Sequence, residues 1–180
     1  MNSIRKSIKQ TYLNLFIILL LHLIIRYPLF SSQRGSDSFY VNVGSNFLTN
    51  TGQFDWVLNP LSYFGFFPYS YPAGIMAVHS FLSLVLGINS QNSVYFLSLF
   101  NGIFGCLTIF LFSYSISKDR RLSLLSAFFF PLLHIVFQWT FWRISSRGMF
   151  MVVLPLVYWS LFQYKSQRNF KSKAFYSGMH

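Results

Sequence analysis

Long apolar runs alternate with short basic clusters along this chain of 180 residues. The run from Val94 to Ile116 contains no charged residue at all. Charged residues make up only 9% of the chain and aromatic residues 21%, which is too little polar surface for a water-soluble domain and too much apolar surface for a disordered one. The 14 Lys and Arg residues fall mostly in short clusters between the apolar runs, a pattern typical of membrane proteins rather than of nucleic-acid-binding ones.

The apolar runs predict an all-α integral membrane protein with about four transmembrane helices. A helix needs about 20 apolar residues to cross the hydrocarbon layer. The first run is interpreted as a span rather than a signal peptide, since no small-residue cleavage site follows it. The four predicted spans cover residues 12–30, 94–116, 122–142 and 149–164.

The segment 72–88 is also apolar, and the distribution of charge decides whether it crosses. If it does not cross, ten cations lie on the cytosolic side and three outside; if it crosses, the counts become five and eight. The positive-inside rule favours the first arrangement. His79 and Ser83 would then form a polar stripe on a helix that rests on the outer surface. Both termini are therefore predicted to be cytosolic, in the plasma membrane, with an outer loop at 31–93 that carries interfacial helices at 38–51 and 72–88.

Two of the three acidic residues lie in this outer loop. Asp119 is surrounded by Lys118 and two arginines and is interpreted as a locally paired loop charge. Asp37 follows Gly35 and Ser36 at a predicted helix start, and Gly52 marks its stop. Spacing alone favours a capping role for Asp37 over a catalytic one. Asp55 precedes Trp56 and can equally be a loop acid beside an interfacial aromatic ring.

Arg143 and Arg147 lie outside on this topology, against the general charge bias. Anchoring at the interface by snorkelling and phosphate binding explain them about equally well. Arg34 in the first outer loop could join them in binding a phosphate. The histidines show no paired metal-binding spacing, and Cys106 is the single cysteine, so no thiolate metal site or disulfide framework is predicted.

Several short motifs follow one another in a recognisable order. Asp37 with Tyr40 comes first, then Gly52 with Asp55-Trp56, and then a Pro-led apolar helix that starts at 71–74 and ends at Leu86-Gly87. In this order and spacing, over nearly the whole chain, the sequence resembles the amino-terminal part of the GT-C glycosyltransferases. That superfamily of multi-span membrane proteins includes oligosaccharyltransferases, protein mannosyltransferases and lipid A aminoarabinose transferases.

The resemblance implies transfer of a sugar from a polyprenyl-phosphate carrier to an acceptor glycan, protein or lipid at the outer membrane face. Asp37 would be the catalytic or metal-associated carboxylate, and Asp55 would have a supporting role. Tyr40 would contact the substrate, while Arg34, Arg143 and Arg147 would hold the phosphate. A divalent metal, Mg²⁺ or Mn²⁺, would be needed only if Asp37 acts as its ligand. The partners implied are the lipid bilayer and the lipid-linked sugar, with no nucleic acid.

The sequence departs from the family pattern in two respects. Many members carry a second acidic motif in the next outer loop, where this chain reads WRISSRGMF. Full members also have more spans, so the chain can be the amino-terminal fragment of a larger module or can work with other membrane subunits. Two alternatives follow: a non-catalytic subunit that binds lipid-linked sugar or acts as a scaffold, and a transporter or flippase fragment.

Overall fold

The computed structural model of the chain describes residues 2–27, 33–53 and 73–166, and these residues form helices without any strand. Seven α-helices and one short 3₁₀ turn follow in the order α1 Asn2–Ile25, α2 Ser36–Thr51, α3 Ala73–Leu86, α4 Ser90–Ser117, α5 Arg120–Phe129, the turn Phe130–Leu132, α6 His134–Thr140 and α7 Ser146–Ser166. The predicted all-α class is therefore confirmed for the described part of the chain.

Among the described residues, two helices are long and apolar enough to cross a membrane, namely Ile8–Ile25 within α1 and Ser90–Ser117, which is α4. At 1.5 Å per residue, the 28 residues of α4 extend about 42 Å, more than the hydrocarbon thickness. The first helix ends at Ile25 rather than at the predicted residue 30. Tyr27 precedes a proline, and a proline disfavours helical backbone angles in the residue before it.

The predicted third span, 122–142, is broken in its middle. The segments Arg120–Leu132 and His134–Thr140 meet at an angle of 56°, so they make a third crossing only if the bent pair counts as one span. Pro131 lacks the N–H that a continuous helix needs, and Leu133 between the two parts has extended backbone angles. The proline thus explains why one apolar run becomes two helices.

The predicted fourth span, 149–164, lies within a helix but is less apolar than the others. The helix α7 begins with Ser146 and Arg147 and ends with Lys165 and Ser166, and it contains Pro155. It is not among the helices whose length and apolarity suffice for a crossing. A fourth crossing therefore stays a prediction.

Helix α4 is the centre of the bundle and packs against α7 along its length. Gly105 allows close approach, because a Cβ atom at this position would lie 3.2 Å from Val152. One turn further on, the Thr108 hydroxyl donates a hydrogen bond of 2.9 Å to the Val152 carbonyl. Small residues and interhelical hydrogen bonds of this kind are the usual means by which helices associate in a membrane.

The polar stripe of α3 is buried against neighbouring helices and not exposed, while the interfacial position of the helix itself stays a prediction. The Thr49 and Ser80 hydroxyls are hydrogen-bonded at 2.8 Å, and the Ser83 hydroxyl donates to that of Ser93 at 3.0 Å. His79 lies 2.9 Å from the Ser90 carbonyl through Nε2. Burial lowers the pKa of His79, so the neutral ring with its proton on Nε2 is the form that donates this bond. The stripe joins α3 to α2 and α4.

Candidate functional site

The first turn of α2 is docked on the short connection between α6 and α7. The backbone N–H of Arg34 donates to the Trp142 carbonyl at 2.8 Å. The backbone N–H of Ile144 donates to the Ser38 hydroxyl at 2.9 Å, and Ser38 is completely buried. These bonds place the start of the predicted outer loop directly beside the connection that carries Arg143 and Arg147.

Gly35 makes this close approach possible. Its φ of +83° lies in the region that favours glycine, and a Cβ atom here would be 2.5 Å from Nε of Arg143. The Arg143 guanidinium therefore covers the backbone immediately before α2. The predicted helix boundaries are confirmed here: Gly35 is the N-cap, and Gly52 is the C-cap in the left-handed conformation.

Both arginines of the connection stack on one indole ring. The guanidinium carbon of Arg143 lies 4.7 Å from the centre of the Trp139 ring, and that of Arg147 lies 4.9 Å from it. Stacking uses the flat face of a guanidinium and leaves its N–H edges available to bind an anion. Trp139 therefore contacts the guanidinium groups of both arginines.

Asp37 lies in the first turn of α2, half-buried, between Ser36 and Ser38. The capping role that spacing favours is not borne out, because the N-cap is Gly35 and no side chain caps this helix end. Tyr40, one turn later, packs against the buried apolar residues at this end of the bundle.

We call Arg34, Asp37, Arg143 and Arg147 the Arg–Asp cluster. The hydrogen bonds of Arg34 and Ser38 to the 142–144 connection place the two chain segments that carry these four residues side by side. The fifth charged residue predicted for the site, Asp55, lies outside the described residues. With three cations and one carboxylate, the cluster is suited to bind a phosphate while keeping one proton acceptor.

An apolar groove of about 650 Å³ opens at the same end of the bundle, between α1 and α4. Its wall includes Tyr27 and Tyr95, whose rings meet edge to face at 6.4 Å. Tyr95 also stacks on Trp142 at 5.7 Å, and Trp142 directly precedes Arg143. The aromatic rings thus connect the groove to the Arg–Asp cluster. Trp142 is buried, and its indole N–H has no hydrogen-bond partner in the described part of the chain.

The described residues do not form a suitable site for a divalent metal. Among them, no three His, Cys, Asp or Glu side chains come together. Asp37 lies in a turn that is docked beside the connection carrying Arg143 and Arg147, and cations nearby would oppose the binding of Mg²⁺ or Mn²⁺. The donor set is that of an anion site, and no step proposed below passes through a metal.

Asp119, at the other end of the bundle, is the N-cap of α5, whereas the sequence predicted a loop charge paired with its basic neighbours. Its carboxylate accepts a 2.8 Å hydrogen bond from the backbone N–H of Arg121 and so caps α5.

Arg26 is a buried cation that sequence reasoning missed, because it falls inside the apolar run at 12–30. Only 1% of its surface is exposed. Its guanidinium donates to the Thr140 hydroxyl at 2.8 Å and to the carbonyls of Thr140, Pro131 and Ser98 at 3.1–3.3 Å. The signal was present in the sequence, since an arginine within an apolar run is expected to face a polar interior.

Trp139 is the second residue that the sequence analysis missed. Trp139, Arg143 and Arg147 recur at every fourth position, and this spacing is the available signal. Comparison of the chain with protein-family models, curated proteins and solved structures gives no match.

Proposed function

We propose that the chain is a membrane glycosyltransferase of the GT-C type, which transfers a sugar from a polyprenyl-phosphate carrier to an acceptor at the outer membrane face. The observation that carries this proposal is the docking of the first turn of α2, with Asp37, onto the connection that holds Arg143 and Arg147. A carboxylate and a phosphate-binding set of cations are the two groups that such a reaction requires from a protein.

In the proposed reaction, the guanidinium groups of Arg34, Arg143 and Arg147 bind the phosphate of the carrier lipid. An acceptor hydroxyl attacks C1 of the sugar, and its proton passes to the carboxylate of Asp37. The bond between C1 and the phosphate oxygen breaks, and the electron pair leaves with the phosphate, where the guanidinium groups stabilise the growing negative charge. Tyr40 and Asp55 are proposed to support substrate binding near Asp37.

The polyprenyl chain would reach the cluster through the apolar groove between α1 and α4. This groove is lined mainly by aliphatic and tyrosine side chains, so it suits an isoprenoid better than a free sugar. The stacked rings of Tyr95 and Trp142 lead from the groove to Arg143. A carrier in the groove would therefore present its phosphate to the cluster.

The proposed topology has four crossings, with α7 as the fourth, and both termini cytosolic in the plasma membrane. It is supported by the position of Lys9, Lys118 and Lys165 at one end of the bundle and of the Arg–Asp cluster at the other. The excess of cations at the first end is the pattern expected of a cytosolic face.

A non-catalytic subunit that binds lipid-linked sugar is the second candidate function. It is favoured by the sequence WRISSRGMF between α6 and α7, which supplies cations to the cluster but no second carboxylate. Such a subunit would use the same groove and arginines for binding and would leave the chemistry to a partner.

A sugar-transfer assay distinguishes the two functions. The purified chain is reconstituted in proteoliposomes and supplied with polyprenyl phosphate that carries a radiolabelled sugar. We expect transfer to acceptor and release of polyprenyl phosphate. The double variant Arg143→Gln/Arg147→Gln should weaken donor binding by about tenfold or more, since each charge-assisted hydrogen bond contributes about 1.5–3 kcal/mol. Lys165→Gln, which removes an exposed cation at the other end of the bundle, is the matched control. Donor binding without turnover would select the non-catalytic subunit, and equal binding by the double variant would contradict the site.

A further inference from the structure

A second cationic cavity lies at the opposite end of the bundle from the Arg–Asp cluster. It has a volume of about 560 Å³ and is formed by α1 and by the turn between α4 and α5. The turn contributes Lys118, Arg120 and Arg121, and α1 contributes the amides of Gln10 and Asn14. The basic side chains and the amide N–H groups can donate hydrogen bonds to an oxygen-rich anion.

The backbone of the turn places these cations around the cavity. Lys118 has a φ of 54°, which ends α4, and the Asp119 carboxylate then caps the first turn of α5 through the Arg121 N–H. Asp119 also lines the cavity, so the lining has three cations and one carboxylate and is positively charged. Lys118 and Arg121 are both exposed and can reach an anion from the membrane surface.

An apolar groove of about 470 Å³ continues from this cavity along α1 and α5. Asn14 and Arg121 line both spaces, and beyond them the groove is walled by residues such as Ile17 and Phe128. The groove therefore leads from the cationic cavity towards the middle of the apolar helices.

A smaller apolar groove of about 160 Å³ leaves the same cavity on the other side of α1. It shares Thr11 and Arg120 with the cavity and continues between Tyr12 of α1 and Phe110 of α4. One positively charged cavity is thus joined to two apolar grooves that lie on either side of one helix.

We propose that this end of the bundle binds an anionic phospholipid, with its phosphate headgroup in the cationic cavity and its two acyl chains in the two grooves. Charge complementarity selects a headgroup with net negative charge, because a zwitterionic headgroup would bring its own cation next to Lys118 and Arg121. The two grooves select a lipid with two chains over a free phosphate, which has nothing to place in them. The lipid belongs to the leaflet opposite to the one where sugar transfer is proposed, and its binding does not depend on that function.

Native mass spectrometry of the full chain from mixed micelles of phosphatidylglycerol and phosphatidylcholine tests the proposal. We expect the wild-type chain to retain phosphatidylglycerol. The double variant Lys118→Asn/Arg121→Gln should retain it about tenfold less, since each basic residue near the membrane surface strengthens binding severalfold. Asparagine tolerates the left-handed backbone at position 118. Lys165→Gln removes a cation at the same end that does not line the cavity, and it should retain the lipid as the wild type does.

A second variant tests whether an acyl chain binds in the larger groove. Ile17→Trp keeps every cation and narrows the larger groove, so phosphatidylglycerol retention should fall in this variant too. Thermal unfolding in phosphatidylcholine alone reports whether the variants are folded. Equal lipid retention by the Lys118/Arg121 variant and the wild type would overturn the proposal, as would an equal loss in Lys165→Gln. Stabilisation of the wild type by inorganic phosphate to the same extent as by phosphatidylglycerol would show a free-anion site and would also overturn it.

Discussion

Replacing Asp37 with asparagine is expected to lower the rate of sugar transfer by about 10²–10⁴-fold, the usual contribution of a general base. The amide has nearly the shape of the carboxylate but cannot accept the acceptor's proton. Because no side chain caps the amino-terminal end of α2, the substitution removes no capping hydrogen bond. Initial rates in proteoliposomes at saturating donor measure the effect, and donor binding by the arginines should remain within a few-fold of the wild type.

Ser36→Ala is the matched control for this prediction, since Ser36 is an exposed residue in the same turn. It should transfer sugar at the wild-type rate. Transfer by a folded Asp37→Asn variant at an unchanged rate would remove Asp37 from the mechanism. The group that accepts the proton would then have to be another residue of the chain or the acceptor's own environment.

Replacing Arg26 with methionine is expected to lower the free energy of unfolding by about 3 kcal/mol or more. The substitution leaves the carbonyls of Pro131, Thr140 and Ser98 without the donor that they have in the wild type. Each buried acceptor left unsatisfied costs about 1–3 kcal/mol. The Pro131 and Thr140 carbonyls belong to the broken third helix, whose backbone needs such partners at membrane depth. Unfolding in mixed detergent micelles, monitored by helical circular dichroism, measures the loss.

Two further variants distinguish the contribution that the hydrogen bonds of Arg26 make to stability from the contributions of its charge and size. Arg26→Lys keeps the charge but has a compact ammonium that cannot replace the planar fork, so it should recover only part of the stability. Arg147→Met removes an exposed arginine from the same end of the bundle and should cost less than about 1 kcal/mol. Equal stability of Arg26→Met and the wild type would contradict the role of Arg26 in holding the broken helix.

Two features of the helical fold could be predicted from the sequence: the helices with long apolar runs, and the helix ends that are marked by glycine. The run that becomes α4 and the glycines that bound α2 follow directly from these signals. The broken third helix was missed because a search for apolar length ignores that Pro131 interrupts the hydrogen-bond ladder. The polar stripe of α3 was misassigned because a sequence shows its width but not its partners, which are residues of α2 and α4.

The charged residues of the candidate site could be predicted from the sequence, but the contacts that position them could not. Asp37, Arg143 and Arg147 are conspicuous because they are charged residues in an apolar chain. The stacking of both arginines on Trp139 is local, but the approach of Arg143 to the backbone around Gly35 joins segments more than 100 residues apart. No local pattern contains that information.

Labelling of single cysteine variants with a membrane-impermeant maleimide in intact cells tests most directly the claim that one outer site is built from both segments. Ser36→Cys and Arg147→Cys place exposed thiols at α2 and α7, and Lys118→Cys places one at the other end. The wild-type chain, whose Cys106 is buried, is the control for background labelling. We predict that positions 36 and 147 are labelled in intact cells and position 118 only after permeabilisation. Labelling of 36 and 147 from opposite sides, or of both only after permeabilisation, would contradict the proposed site.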